Sequence, residues 1–335
     1  MKFNKGEWSE LFVIASIFNN NKIKIANSIN HMKVIKIYFN NKRTRYLIYG
    51  SDIRKNNEET YPLYTNQKVK QFLNELKNSK GSSFVSCQGR DFILKYDIPK
   101  VKETKNKGDI DTNTIFPNED EGRDVNFSIK SFIGSSPTLL NSSQATNFLF
   151  EIKNFSQDVS ISEINAISTK SKIRDRIMEI KDHSTDLKIV SVEDSIFHEN
   201  MLKIDTNFLE ILAPILLNYY STSFSSISDL VQNTKYEKFS IDIVKLKIKH
   251  FLRAFALGMI PKIPWNGNSV NGGSIVVKST GDLLAYTLYD MDEFDEFLYE
   301  NCKLDTPSSS RHRFGEIFSY NEKYYIKLNL QIRFK

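Results

Sequence analysis

Residues 107–148 read KGDIDTNTIFPNEDEGRDVNFSIKSFIGSSPTLLNSSQATNF. Within them 125–132, VNFSIKSF, alternates apolar and polar side chains with a period of two, the pattern of a half-buried strand. Val125, Phe127 and Ile129 point one way; Asn126, Ser128 and Lys130 point the other. Upstream lies the short run Gly108-Asp109-Ile110-Asp111. Between the two runs, Pro117, Asn118 and Gly122 with Glu119, Asp120 and Glu121 supply turn chemistry. The spacing predicts a hairpin with Asp109 on one strand and Lys130 on its neighbour.

An aspartate and a lysine so placed are a recurring solution for cutting phosphodiesters. The carboxylate holds a divalent cation, and the ammonium orients water and offsets charge on a pentavalent phosphate. That is the skeleton of the PD-(D/E)xK nucleases, which carry an acid two residues before the lysine. Here that slot is Ser128, so the pattern is degenerate. The plain alternative is an ordinary hairpin with an exposed lysine.

Longer blocks extend the pattern. KGEWSEL at 5–11, GDI at 108–110 and FSIKSFIGSSPTLLNSSQATNF at 127–148 are joined by HFLRAFALGMIPKIPWNG at 250–267 and NGGSIVV at 271–277. TPSSSRHRFG at 306–315 and YYIKLNLQIRF at 324–334 complete them. In these blocks the chain resembles the HpaII family of type II restriction endonucleases over most of its length. The resemblance implies a magnesium-dependent enzyme that cleaves double-stranded DNA at CCGG, between the two cytosines. It also implies a cognate DNA methyltransferase in the same host. The alternative is a non-catalytic or repair-type DNA-binding protein of the same fold, which Ser128 motivates.

Composition is compatible with this and does not demand it. The 335 residues are 40% hydrophobic and 26% charged, ordinary values for a globular chain with a large core. The formal net charge of +6 suits nucleic acid. Cys87 and Cys302 form no metal-ligand spacing and indicate no disulfide framework. The five histidines show no ligand pairing either. No apolar run is long enough for a bilayer, and MKFNKGEW lacks a signal-peptide core. The expected setting is soluble, reducing and cytoplasmic, with no membrane partner.

Taken in order, 7–20 carries Trp8, Leu11, Phe12, Ala15 and Phe18 at helical spacing. Glu7 and Glu10 share a face of that helix. Two acids near a helix start favour the macrodipole; in the nuclease reading one of them, Glu10 ahead of Glu7, is turned toward the hairpin metal. Strands are expected at 33–39, 45–49 and 91–96, and a helix at 67–80. Lys42, Arg43 and Arg45 mark a loop for phosphates or a solvated turn. Ser136-Pro137 predicts the start of a helix over 138–150, with Asn141 and Gln144 facing DNA or solvent. Helices are expected at 162–182, 206–221 and 241–257. The last places Lys245, Lys247, Lys249 and Arg253 either along a backbone or on a wet face.

The loop 262–273, with Lys262 at its head and Trp265 inside it, leads to a hairpin of 274–279 and 283–289. An acidic helix follows at 292–301. The segment 306–315 precedes a final strand pair, 315–320 and 324–334. Arginine is the commonest reader of guanine in the major groove. Arg311 and Arg313, with His312 and Ser309 in support, are therefore the candidate contacts to a target of C·G and G·C pairs, and a surface loop is the alternative.

The expected fold is α/β: a restriction-endonuclease-like central mixed sheet flanked by helices, with a largely helical middle region. One domain spans 1–335, with the catalytic core in 1–155 and helical and β elaborations for DNA recognition in 156–335. Asp109 and Glu10, or Glu7, would hold Mg2+, an oxygen-ligated hard cation. Lys130 would assist the attacking water, and Ser128 would hydrogen-bond a ligating water. A palindromic target suits a symmetric homodimer, and short sites are also cut by monomers.

Overall fold

The computed structural model describes residues 1–99, 108–156, 158–267 and 270–335. Lys107 and positions 268–269 of the expected 262–273 loop lie outside them. In chain order come α1 (Lys5–Asn19), β1 (Lys22–Ile25), β2 (His31–Phe39), β3 (Thr44–Ile48), β4 (Asp52–Lys55) and β5 (Glu59–Pro62). Then follow α2 (Asn66–Asn78), α3 (Cys87–Tyr96), β6 (Ile110–Ile115), β7 (Arg123–Ser131), β8 (Thr138–Leu140) and β9 (Asn147–Lys153). The middle of the chain holds α4 (Ile161–Ala166), α5 (Lys172–Asp182), β10 (Asp186–Val192), α6 (Ser195–Leu202), α7 (Phe208–Ser221), α8 (Ile227–Gln232) and α9 (Ile241–Ala256). Last are β11 (Gly273–Val277), β12 (Leu283–Thr287), α10 (Met291–Asn301), β13 (Cys302–Leu304), α11 (Ser309–His312), β14 (Ile317–Tyr320), β15 (Lys323–Asn329) and β16 (Ile332–Phe334).

The chain forms two compact units. The first takes Met1–Pro137, Ala256–Gly258 and Asn268–Phe294; the second takes Thr138–Phe255, Met259–Gly267 and Asp295–Lys335.

The first unit is built on a nine-stranded mixed sheet of order β1-β12-β11-β7-β6-β2-β3-β4-β5. The predicted hairpin is its centre: β6 and β7 pair antiparallel, with Ile110 opposite Phe127. The sheet is mixed, as expected, and it also closes. One edge of β2 pairs with β3 over Lys36–Phe39 and with β1 over His31–Lys33, so six strands form a ring. A register shift between Val34 and Lys36 marks where β2 bends to do this. Strand β11 lies parallel to β7, with Ser274 beside Ser128. Gly272 and Gly273 make that fit: a Cβ on them would stand 2.7 Å from the Asn126 carbonyl and 2.1 Å from the Tyr286 carbonyl.

Helix α1 is buried on nearly every side, from Trp8 to Phe18, rather than along one stripe. It fills the core with Phe72, Phe92, Tyr96, Phe127 and Ile129. Each such aromatic stabilises the fold by about 1.5–3 kcal/mol on burial. The expected strand at 91–96 is the second half of α3. Ser86 caps it, accepting the Gly89 N–H, and Phe92 and Tyr96, four apart, both face the core. Gly89 admits the Trp8 ring, which a Cβ would meet at 2.3 Å.

The second unit has an antiparallel sheet, β10-β9-β15-β14, a small one, β13-β16-β8, and the chain's middle helices. The helix expected over 138–150 is absent. Thr138–Leu140 pairs with β16, Gln144–Thr146 makes one 3-10 turn, and Asn147–Lys153 is a central strand. Phe148, Phe150 and Ile152 are buried on alternate positions, so a period of two overrode the Ser-Pro start signal. The helix expected at 162–182 is broken into α4 and α5, and β10 was not foreseen.

Candidate functional site

The hairpin brings Asp109 and Lys130 to one face of the first unit's sheet. Val125, Phe127 and Ile129 face the core. Asp109, just before β6, lies one step beyond the Ile110–Phe127 pair and so faces Ser128. Lys130 follows two residues on, roughly 7 Å along the strand and on the same side. The Asp109 N–H donates to the Phe127 carbonyl at 2.9 Å, and its Oδ2 accepts the Ile129 N–H at 2.6 Å. The strand end thus fixes the carboxylate with its own backbone. The Lys130 side chain makes no ion pair or hydrogen bond among the described residues.

Ser128 occupies the slot of the missing acid in a manner the sequence did not suggest. It is 2% exposed, and its hydroxyl shares a 2.6 Å hydrogen bond with Ser274 across the parallel β7–β11 pair. Its nearest hydrogen-bond partner is therefore a side chain of the neighbouring strand. A carboxylate there would sit against a second strand instead of opening to solvent. One pair further along, Asn126 and Asn271 clasp each other. Each main-chain N–H donates to the other's side-chain oxygen at 2.8 Å.

On that face lies a cleft of about 130 Å³ lined by Tyr38, Lys42, Asp111, Thr112, Asp124, Val125, Asn126 and Asn271. Burial raises the Asp111 carboxyl above the usual range; Lys42 works against this, and Asp124 adds to it. Asp124 shifts the other way. Burial opposes its ionisation, but hydrogen bonds from Asn113 at 2.7 Å, Lys42 at 2.6 Å and Tyr38 at 3.0 Å outweigh it. Burial and the Asp124 hydrogen bond push the Tyr38 hydroxyl up to about 12. Lys42, a candidate phosphate contact, is therefore tied to a carboxylate.

Helix α1 runs beside β7, and the Ser9 hydroxyl donates to Ser131 at 2.9 Å. Glu7 is half-buried and completes a capping box: its carboxylate accepts the Asn4 N–H at 2.9 Å. That bond serves the helix start. Glu10 is half-buried on the next turn. Among the described residues no three His, Cys, Asp or Glu side chains cluster as a metal cage. The donors on offer are oxygens, Asp109 first, and a hard divalent cation held by one or two carboxylates with water and phosphate oxygens fits such a set.

The candidate DNA contacts belong to the second unit, and most of them converge. Asn329 holds the 143–147 turn, donating to the Ser143 carbonyl at 2.8 Å and to Asn147 at 2.7 Å. Asn147 donates to Glu193 at 2.8 Å and to the His312 carbonyl at 2.9 Å. Ser142 then meets His312 Nε2 at 3.2 Å. This network sets Asn141 and Gln144, both exposed, near the segment carrying Ser309, Arg311 and Arg313. Arg311 and Arg313 are exposed, with Arg313 in the left-handed region at the end of α11. Burial, then the charge of Arg311, lowers the His312 pKa. Beneath the segment, buried Arg176 donates to the Gly315 carbonyl at 2.6 Å and to the Asn165 and Ile167 carbonyls. Its only sequence mark was a cation inside an apolar helix stripe.

Lys262 stands apart, exposed on a loop that buried Asn200 secures through the Ile260 and Ile263 carbonyls and the Trp265 N–H. Lys203 also donates to the Trp265 carbonyl. The α9 cations are spoken for: Lys245 and Lys249 pair with Glu296, Lys247 with Asp205 and Arg253 with Asp295. Among the described residues no helix is long and apolar enough to cross a membrane.

The comparisons with known proteins agree on a family. The family model described as HpaII restriction endonuclease matches residues 4–334. The type II restriction enzyme HpaII of Haemophilus parainfluenzae is 35% identical over 360 aligned positions, covering 99% of this chain and 98% of that protein. No solved structure matches the chain. Type II enzymes generally use a divalent metal, and the family acts on double-stranded DNA. The chain therefore belongs to the HpaII restriction endonuclease family and is a type II site-specific deoxyribonuclease.

Proposed function

We propose that this chain hydrolyses both strands of DNA at CCGG, between the two cytosines, with Mg2+ as its cation and the β6–β7 hairpin as its catalytic element. The observation that carries this reading is the shared face of Asp109 and Lys130, held by the Asp109–Ile129 bond. The fold is read as an elaborated PD-(D/E)xK core, with the first unit catalytic and the second reading the target. Asp109, with Glu10 or Glu7, would hold the ion, which when bound supplies Lewis acidity and charge to the scissile phosphate. Lys130 orients the attacking water and offsets the charge that grows on the phosphate oxygens. Ser128 and Ser274 keep the strand pair in register beneath these groups. Arg311 and Arg313 donate to guanine O6 and N7, while Asn141, Gln144, Ser309 and Lys262 hold backbone or base edges. A matching methyltransferase protects the host, and 5-methylcytosine at the site blocks cleavage. A palindromic target favours a homodimer.

Digestion of a plasmid of known sequence, with and without magnesium, tests the whole reading. Discrete magnesium-dependent fragments ending at CCGG are expected. Lys130→Ala and Asp109→Ala should each lower the cleavage rate by at least about 10²-fold while leaving DNA affinity within a few-fold. Fragments ending at another sequence discard the target and keep the enzyme class. Wild-type rates in either variant overturn the catalytic assignment.

A further inference from the structure

The second unit contains a cavity of about 390 Å³ lined by two segments. One is the start of α5, with Lys170, Lys172 and Arg174; the other, 306–310, ends in three serines. Tyr219 and Tyr220 of α7 form its remaining wall. Three cations and no carboxylate line it. Arg174 donates to the Thr222 carbonyl, and the Tyr219 hydroxyl is bonded to Thr306 at 2.8 Å, so both belong to the frame. Lys170 is exposed, Lys172 is half-buried, and neither has an ion-pair partner among the described residues. The carboxylates adjoining the lining segments are engaged: Asp175 accepts the Thr169 hydroxyl, and Asp305 pairs with Arg333 at 3.4 Å. Ser171, at the N-cap of the eleven-residue α5, gives no side-chain cap, so the helix's positive end adds to the cations.

We propose that this cavity seats a backbone phosphodiester of the bound DNA, held by Lys170, Lys172 and the Ser309 and Ser310 hydroxyls. The proposal rests on the reading of 309–313 as DNA-facing. Ser309 and Ser310 line the cavity, and Arg311 follows them directly, so one short helix both anchors on phosphate and presents the arginines. A phosphate contact carries no sequence information and fixes register and orientation. Its signature is therefore electrostatic and equal on every sequence.

The test is anisotropy of a labelled duplex of about 20 base pairs, chosen to span two helical turns, with the full chain in EDTA, at salt from 50 to 200 mM. One duplex carries CCGG and the other a scrambled core. Lys170→Gln, Lys172→Gln and the double variant are compared with wild type. Lys238→Gln, whose lysine pairs with Glu210, is the control. The slope of log affinity against log salt should fall by about 0.9 per lysine removed, to the same extent on both duplexes. Lys172→Arg should keep the wild-type slope, and the control should not move. An unchanged slope in the double variant overturns the proposal. So does a loss confined to the CCGG duplex, which would place these lysines in base readout. A melting-temperature rise in 10 mM inorganic phosphate (about the top of the millimolar range for weak sites), lost in the double variant with the DNA slope intact, would assign the cavity to a free anion and also overturn it. Wild-type protein that binds neither duplex sinks this proposal and the DNA-facing reading together. A plasmid target other than CCGG leaves the slope result standing.

Discussion

At the residue scale, charge on the hairpin face is sorted by hydrogen bonding. Asp124 and Asp111 line one cleft and shift in opposite directions, because Asp124 accepts three hydrogen bonds and Asp111 is left with burial. The depressed Asp124 pKa has a defined consequence. Its contribution to stability is fully present above the ordinary aspartate value of about 3.9 and is lost as pH falls through the lower folded value. Asp124→Asn should therefore lower the melting temperature at pH 7, and the gap should close below about pH 4. The carboxylate is 43% exposed, so the difference stays below about 1 kcal/mol. Melting curves from pH 7 to 2 check this, and a gap independent of pH would refute it. That Asp109 and Lys130 lie on one face of a hairpin was legible from spacing alone. The Ser128–Ser274 bond was not, because it joins residues 146 apart and a parallel strand pair leaves no local mark.

At the element scale, the signals that misled were local and the forces that prevailed were tertiary. Ser136-Pro137 has the chemistry of a helix start. The buried alternation of Phe148, Phe150 and Ile152 needed β10 and β15 on either side to become a strand. Asp91–Tyr96 reads as readily as a strand, and the rings of Phe18 in α1 and of Tyr64 settle it as helix by taking Phe92 and Tyr96 on one face. The NGG motif at 271–273 belongs to one of the blocks that resemble the family, and its physical role is strand insertion. Gly273 has φ +112° and faces the Tyr286 carbonyl. Gly273→Ala should cost on the order of 2 kcal/mol or more, from backbone strain and overlap together. Urea denaturation measures it; an unchanged midpoint would show that β11 shifts freely.

At the scale of the whole molecule, the mixed sheet and the helical middle were legible, since each rests on periodicity. The ring and the interleaving were not, since each depends on which distant strands pair. β11 and β12 stand between β7 and β1, so the first unit's sheet needs residues that come both before and after the segment Thr138–Phe255 in the sequence. A fragment of residues 1–155 should therefore lack a cooperative thermal transition, with β7 and β1 each missing a neighbour. Circular dichroism on heating decides this. A sharp transition would mean that the two inserted strands are dispensable.

The late position of β11 also bears on how the protein is made. After Ser131 leaves the ribosome, the next 141 residues must be synthesised before Gly273 emerges to pair with this region. At about 5–20 residues per second, that is roughly 7 to 28 s during which the outer edge of β7 has no native partner. An unpaired strand edge is a template for association with other chains. The nascent chain thus passes through an interval open to edge-to-edge association, and during it the strand bearing Lys130 has yet to acquire its final neighbour.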